Sequence, residues 1–267
     1  KGILWVNSAG NYAKRQYSAL WRDSNASGWL DFSGPEDEVL LLEEAAVGDT
    51  IEVWLTWNDW PTSSENYDLY LYKMNDSGEI EKVEESTTVQ SGSHPIEAIE
   101  YPVREDGIYG AAIWKDPDAR GTVVKLWSGH HDLTEYASLI GNIGTPADAA
   151  GSFSVGAAAY FDWRTGRIAP YSSKGPTADG RIKPNIVAPT QVRTASFPGF
   201  GGTSGAAPHA AGAAALLLSG DPNQTLQQLR LALTENARDL GSPGKDNTFG
   251  NGLLTLPAPP RFDTALR

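Results

Sequence analysis

The sequence predicts an α/β fold, with a parallel sheet around a buried central helix, interrupted by an antiparallel β-sandwich. Short apolar runs closed by turn residues occur near both ends of the 267-residue chain, as is typical of strands buried on both faces. A run of small and apolar residues around position 210 predicts a helix enclosed on all sides. Between these parts, apolar and polar residues alternate, which indicates half-buried strands.

Three segments are candidates for the parallel strands. Residues 3–6 form a continuous apolar run that leads into a turn-rich stretch, and we expect this strand to be buried on both faces. Residues 152–159 and 185–189 have the same apolar character, and turn residues close each of them.

The middle of the chain has a different period. Apolar side chains recur at every second position in at least three segments: Ile51, Val53, Leu55 and Trp57; Leu69 and Leu71; Val124 and Leu126. Strands separated by turns, without intervening helices, are typical of an antiparallel sandwich. We therefore divide the chain into an α/β domain of residues 1–12 and 141–267 and an inserted β-sandwich of residues 13–140.

Two helices are predicted in the last third of the chain. The first covers residues 204–218, with Pro208 near its first turn, where a missing N–H costs least. The second is amphipathic and begins with a capping box formed by Thr225 and Gln228. We expect it to end at Gly241.

Composition excludes several function classes. A formal net charge of -12 argues against nucleic-acid or anionic-membrane partners, which need clustered Lys and Arg. The absence of cysteine excludes a thiol nucleophile and thiolate metal sites. No apolar run reaches the roughly 18 residues that a membrane-spanning helix requires. We expect no cofactor. Asp68 is a candidate ligand for a structural calcium ion, but a strand-edge carboxylate is the favoured explanation.

Residues 201–212 read Gly-Gly-Thr-Ser-Gly-Ala-Ala-Pro-His-Ala-Ala-Gly and carry the main chemical signal. A serine at a helix N-terminus lies beside unpaired backbone N–H groups, which can stabilise a developing oxyanion. Taken alone, Ser204 could equally be a helix N-cap among residues chosen for close packing.

This segment resembles the nucleophile motif of the subtilases, the family of subtilisin-like serine proteases. Further segments resemble subtilase blocks in the same order: residues 6–11, 145–149, 153–157, 171–176, 179–189 and 249–252. The resemblance implies that Ser204 is the nucleophile and that the Asn11 side-chain amide donates to the oxyanion. It also implies substrate-binding roles for five residues: Ser8, Ala9, Gly10, Gly202 and Thr203. Asn11 could alternatively be a turn residue after a strand.

Three residues depart from the family pattern. Thr190 stands where the family usually has Gly, Asn185 where Asp is common, and Gly205 where Met is usual. The inserted region resembles the pre-peptidase C-terminal type of β-sandwich that accompanies secreted proteases, which implies an extracellular or periplasmic protein. Trp54, Tyr70 and Tyr72 could form a carbohydrate platform there, or simply pack the second face of a sheet.

In the subtilases the catalytic Asp and His precede the oxyanion Asn, so neither motif is expected on this chain. His209 belongs to the helix after Ser204 and is expected to be packed and hydrogen-bonded. His94, His130 and His131 are expected at the surface. The predicted partners are therefore a protein or peptide substrate and the N-terminal portion of the same catalytic domain. Alone, the chain is expected to be inactive; the alternative is an inert fragment or pseudo-protease with a binding sandwich.

Overall fold

The computed structural model describes residues 2–75 and 77–257. The chain divides into two compact units, which we call the α/β unit, Lys1–Asn11 with Ile140–Arg267, and the β unit, Tyr12–Leu139. In the part of the chain described, no helix has both the length and the apolar character needed to cross a bilayer.

The strands are numbered along the chain: β1 Val6–Ser8, β2 Gln16–Leu20, β3 Leu40–Leu41, β4 Thr50–Trp57, β5 Tyr67–Met74, β6 Ile80–Ser86, β7 Ile96–Pro102, β8 Ile108–Lys115, β9 Val123–Ser128, β10 Phe153–Ala159 and β11 Ile186–Thr190. The helices are α1 Gly202–Gly220 and α2 Leu226–Glu235, and a 3₁₀ turn covers Tyr160–Asp162.

The α/β unit is built on a parallel sheet with the order β1-β10-β11. Its core joins Phe153, Val155 and Ile186 of the sheet to the alanine-rich side of α1 and to Leu229 and Leu233 of α2. Because α1 is rich in alanine and glycine, its backbone can approach the sheet closely. The packing of α1 against the sheet therefore fixes the position of the residues at the helix N-terminus.

The structure confirms both predicted helices and the capping box of Thr225 and Gln228. The expected burial of α1 on all sides is wrong, because Gly212 is exposed and Leu216 is 63% exposed. The predicted stop at Gly241 is wrong, because α2 already ends at Glu235. Two backbone hydrogen bonds between Arg238 and Leu253, each 2.9 Å, draw the chain away from the helix axis.

The first predicted strand is displaced. Strand β1 begins at Val6, whereas Ile3 and Trp5 precede it and are 77% and 62% exposed. The expectation of burial on both faces is therefore wrong for these two residues. Strand β1 pairs with β10 on one side only, within the described residues.

The β unit consists of two antiparallel sheets, with the orders β2-β9-β4-β7 and β3-β8-β5-β6. Their inward side chains form one apolar cluster, in which Trp57, Tyr67 and Tyr109 are the largest fully buried members. Trp54 lies on β4 of the first sheet, but Tyr70 and Tyr72 lie on β5 of the second. The three aromatic residues therefore do not form a common platform. Trp29 packs against both tyrosines, with ring centroids 5.0 and 6.5 Å away.

Candidate active site

Ser204 lies in the first turn of α1 and is exposed to solvent. Neither its hydroxyl nor its backbone N–H forms a hydrogen bond within the described residues. The helix begins after the N-cap Gly201, whose carbonyl accepts from the N–H of Gly205 at 3.1 Å. An unpaired N–H at this end of a helix, where the macrodipole is positive, favours a negatively charged ligand atom.

Asn11 is held against the residue that precedes Ser204. Its Oδ1 accepts from the Thr203 N–H at 2.9 Å and from the Thr203 hydroxyl at 3.0 Å. The same hydroxyl accepts from the Gly10 N–H at 3.2 Å. Because both donors of Thr203 point at the amide oxygen, Nδ2 is the end of Asn11 that can donate to a ligand.

Gly202 allows this approach. It has φ +73°, a conformation that glycine adopts readily, and a Cβ placed there would lie only 3.1 Å from Asn11 Nδ2. Its N–H donates to the Tyr171 hydroxyl at 3.2 Å, and its carbonyl accepts from the Thr190 hydroxyl at 2.7 Å. Sequence reasoning assigned neither Tyr171 nor Thr190 to the site, since each lies more than ten positions from Gly202.

The remaining predicted substrate-binding residues continue from strand β1. Ser8 pairs with Val155, and the Ala9 N–H donates to the Val155 carbonyl at 3.0 Å. Ala9 is fully buried, and Gly10 leaves the strand with φ +108°. The structure thus brings Gly10 and Asn11 to Thr203, while Ser8 and Ala9 lie further back along the strand.

No histidine in the described part of the chain forms a hydrogen bond to Ser204. Nδ1 of His209 lies 2.8 Å from the Gly205 carbonyl one turn earlier, as expected for a packed residue. His94 and His130 are exposed, but His131 is only 8% exposed, so its predicted surface position is wrong. Its Nε2 lies 3.7 Å from a carboxylate oxygen of Asp49, which holds the ring in the β unit.

Asp68 forms hydrogen bonds with two neighbouring side chains. Its two carboxylate oxygens accept from the Asn66 amide at 3.2 Å and from the Tyr70 hydroxyl at 3.4 Å. Residues 2–75 and 77–257 contain no group of three or more His, Cys, Asp or Glu that could hold a metal ion. Burial raises the pKa of Asp68 above its usual value.

Two departures from the family pattern are in contact with each other. A Cβ on Gly205 would lie 3.1 Å from the Thr190 hydroxyl and 3.1 Å from the Phe200 carbonyl. The side chain of Thr190 therefore occupies space that a larger residue at position 205 would need. Thr at position 190 in place of the usual Gly is therefore compatible with Gly at position 205 in place of the usual Met.

We expect Gly205→Met to destabilise the protein by about 1–3 kcal/mol, the usual cost of overpacking. In a protein that already carries Thr190→Gly, Gly205→Met should be less destabilising. We expect a coupling free energy of about 1 kcal/mol between the two sites. Urea unfolding of the four proteins in the double-mutant cycle measures this. Gly212→Met on the same helix is the control, because no atom lies within 4 Å of its Cβ position. Strictly additive effects would contradict the proposed contact.

The third departure lies beside a buried lysine. Lys183 is 4% exposed, and its Nζ donates to the Ser152 carbonyl at 2.6 Å and to Asn185 Oδ1 at 3.1 Å. Burial, followed by repulsion from Arg181, lowers the pKa of Lys183 to about 8. The neutral amide of Asn185 thus supplies an acceptor for the ammonium group but no opposite charge.

This arrangement predicts that stability rises with pH. The pKa of Lys183 is about 8 in the folded state, and its ordinary value is 10.5. Between pH 8 and 10.5 the folded state therefore binds fewer protons than the unfolded state. The free energy of unfolding should therefore increase over this interval, by at most about 3 kcal/mol. Asn185→Asp should raise the pKa of Lys183 and flatten the rise, and Lys183→Met should abolish it. Urea unfolding between pH 6 and 10.5 tests this; identical profiles for the three proteins would refute it.

Comparisons with known proteins relate the α/β unit to proteases. Residues 136–252 match the sequence profile of the subtilase family. Subtilisin Savinase of Lederbergia lenta is 35% identical over 148 residues, which are 54% of this chain and 48% of that protein. Alkaline elastase YaB of Bacillus sp. (strain YaB) is 35% identical over 143 residues, 54% of this chain and 34% of that protein. The chain thus spans half or less of the curated relatives that it matches.

A solved structure shows the fold over a longer stretch. The Clostridium perfringens CspB protease superposes with a TM-score of 0.62 at 17% identity, covering 95% of this chain and 58% of that one. At this level of identity the likeness establishes fold similarity alone. Together with the sequence matches, it supports a subtilisin-like protease.

Proposed function

We propose that this chain is the C-terminal portion of the catalytic domain of a secreted subtilisin-like serine endopeptidase. In this proposal the Ser204 hydroxyl attacks the scissile carbonyl and forms an acyl-enzyme. The Ser204 N–H and the Asn11 amide stabilise the oxyanion, and Ser8, Ala9, Gly10, Gly202 and Thr203 line the substrate cleft. The β unit is proposed to be an inserted domain.

One observation carries the proposal: two segments 192 positions apart meet at the Asn11–Thr203 hydrogen bonds. They bring a side-chain amide next to a serine whose N–H and hydroxyl are both free within the described residues. Both donors are needed because an oxyanion is stabilised by preorganised hydrogen bonds that strengthen as its charge develops. The sequence matches to proteases support the same assignment.

The chemistry also requires a base. A serine hydroxyl is a weak nucleophile at neutral pH unless a histidine, oriented by a carboxylate, removes its proton. We propose that a segment outside this chain, the N-terminal portion of the catalytic domain, supplies the Asp and His. A second candidate is an inactive fragment or pseudo-protease whose β unit binds a partner; the unbonded Ser204 hydroxyl is compatible with it.

Complementation with the proposed N-terminal segment distinguishes a protease from an inactive fragment or pseudo-protease. The chain alone should not cleave a fluorogenic peptide or react with a fluorophosphonate probe. Extending it upstream in its gene, or adding that segment as a second polypeptide, should give both activities, with the label on Ser204. Turnover by the chain alone would show that the base lies within it. Absence of labelling in the extended, folded protein would favour the pseudo-protease.

A further inference from the structure

The turn before Ser204 contains two consecutive glycines. Gly201 is the N-cap of α1, and Gly202 follows it with φ +73°. Because glycine has more conformational freedom than any other residue, the sterics of this turn constrain its peptide planes only weakly. A fixed orientation of the Ser204 N–H therefore requires contacts to other parts of the chain.

The peptide plane that joins Gly201 to Gly202 is hydrogen-bonded at both ends. Its carbonyl accepts from the Gly205 N–H at 3.1 Å, and its N–H donates to the Tyr171 hydroxyl at 3.2 Å. The ring of Tyr171 packs against the apolar core of the α/β unit, which fixes the position of the hydroxyl. A residue 31 positions away thus supplies a stationary acceptor for this plane.

The next peptide plane, which joins Gly202 to Thr203, is also hydrogen-bonded at both ends. Its carbonyl accepts from the Thr190 hydroxyl at 2.7 Å, and its N–H donates to Asn11 Oδ1 at 2.9 Å. Thr190 is fully buried at the end of β11, and a β-branched side chain has few rotamers. The hydroxyl of Thr190 is therefore held in place, and with it the Gly202 carbonyl.

Both proposed oxyanion donors depend on this second plane. The Ser204 N–H belongs to the following peptide plane, so its direction depends on the backbone at Thr203. The amide nitrogen of Asn11 belongs to the same planar group as the oxygen that accepts from the Thr203 N–H. A rotation of the plane between Gly202 and Thr203 would thus shift both donors, which are effective only within about 0.5 Å of the productive geometry.

The segment that carries Tyr171 also contacts the residue before the amide donor. The Ser173 N–H donates to the Gly10 carbonyl at 2.9 Å, and the Ser172 hydroxyl accepts from the Ala157 N–H of β10 at 3.0 Å. Ser172 and Ser173 are both fully buried. One segment therefore ties both halves of the proposed oxyanion site to the central strand of the parallel sheet.

We propose that Tyr171 and Thr190 are positioning residues for the peptidase reaction. Their hydroxyls hold the backbone of Gly202 so that the Ser204 N–H and the Asn11 amide donate to the same oxyanion. A hydroxyl is required at each position, because an apolar side chain of similar shape would leave the N–H or the carbonyl of Gly202 without this partner. The inference rests on the proposed function, since it assigns the two residues to the oxyanion site of that reaction.

Steady-state kinetics of the enzyme complemented with its N-terminal segment test the proposal. Thr190→Val removes the hydroxyl but keeps the branched shape, and it should lower kcat about 10–100-fold with little change in KM, since small displacements of catalytic groups cost up to about 10²-fold. Tyr171→Phe should lower kcat about three- to ten-fold, the equivalent of one lost hydrogen bond. Thr190→Ser keeps the hydroxyl and should restore most of kcat.

Thr177→Val is the matched control. Thr177 is also buried in the α/β unit, and its hydroxyl bonds to Asp179 and to the Arg181 N–H, outside the candidate site. This variant should lower the unfolding midpoint but leave kcat unchanged. A fall in kcat for Thr190→Val no larger than for Thr177→Val would overturn the positioning role, and so would a Thr190→Ser variant as impaired as Thr190→Val.

Hydrogen exchange of the chain by itself separates this inference from the proposed function. Peptic fragments that contain Gly202 and Thr203 should exchange about five-fold faster or more in Thr190→Val and Tyr171→Phe, because the bonds that protect these two amides are weakened. Fragments from β10 should not change. Faster exchange in a protein whose complemented form has no turnover would refute the peptidase assignment alone. Unchanged exchange in both variants would overturn the positioning role.

Discussion

Replacing Ser204 by Ala in the complemented enzyme is expected to lower the turnover of a peptide substrate by about 10⁶-fold, the loss known from a subtilisin. The reason is that the Ser204 hydroxyl is the group that forms the acyl bond. The other hydroxyl in the first turn of α1, that of Thr203, is buried and donates to Asn11. Turnover of a fluorogenic peptide by matched preparations measures the effect. Catalysis about 10³–10⁴-fold above water should persist, from oxyanion stabilisation and substrate binding alone.

Ser196→Ala is the control, since this serine is exposed in the loop that precedes the helix. It should leave turnover unchanged. If Ser204→Ala lowers turnover less than tenfold, Ser204 is not the nucleophile. In that case, mapping the fluorophosphonate adduct by mass spectrometry would identify the residue that is.

The second large effect is expected at Asn11. Asn11→Asp should lower turnover by about 10²–10³-fold with little change in KM, because the donor acts on the oxyanion rather than on the ground state. Aspartate is the informative substitution: its carboxylate can still accept both hydrogen bonds from Thr203, so the helix terminus stays tethered. What it removes is the N–H donor.

Asn223→Ala, at an exposed position outside the site, should change turnover less than twofold. Asn11→Ala removes the tether as well as the donor, so it should also lower the unfolding midpoint. If Asn11→Asp retains full turnover, Asn11 acts only as a structural link to Thr203. A rise in KM alone would assign it to substrate binding.

Local signals predicted much of the α/β unit. The capping box of α2 depends on Thr225 and Gln228, three positions apart. The small residues of α1 predicted close packing, but they did not show that only one side of the helix is buried. The strands β10 and β11 lie within one residue of their predicted bounds. The motif resemblance predicted Ser204 and Asn11 as site residues, and the structure bonds Asn11 to Thr203, the residue before Ser204.

The sequence by itself predicted the two helices, the alternating faces of the strands and the candidate residues Ser204 and Asn11. Only the tertiary structure decided that Trp54 and Tyr70 lie on different sheets, that His131 is buried, and that Thr190 fills the space above Gly205. The physical reason is the range of the interactions. Caps and periodicity arise between residues a few positions apart, whereas strand partners and packing neighbours are chosen by burying apolar surface across the whole chain, which no short segment encodes.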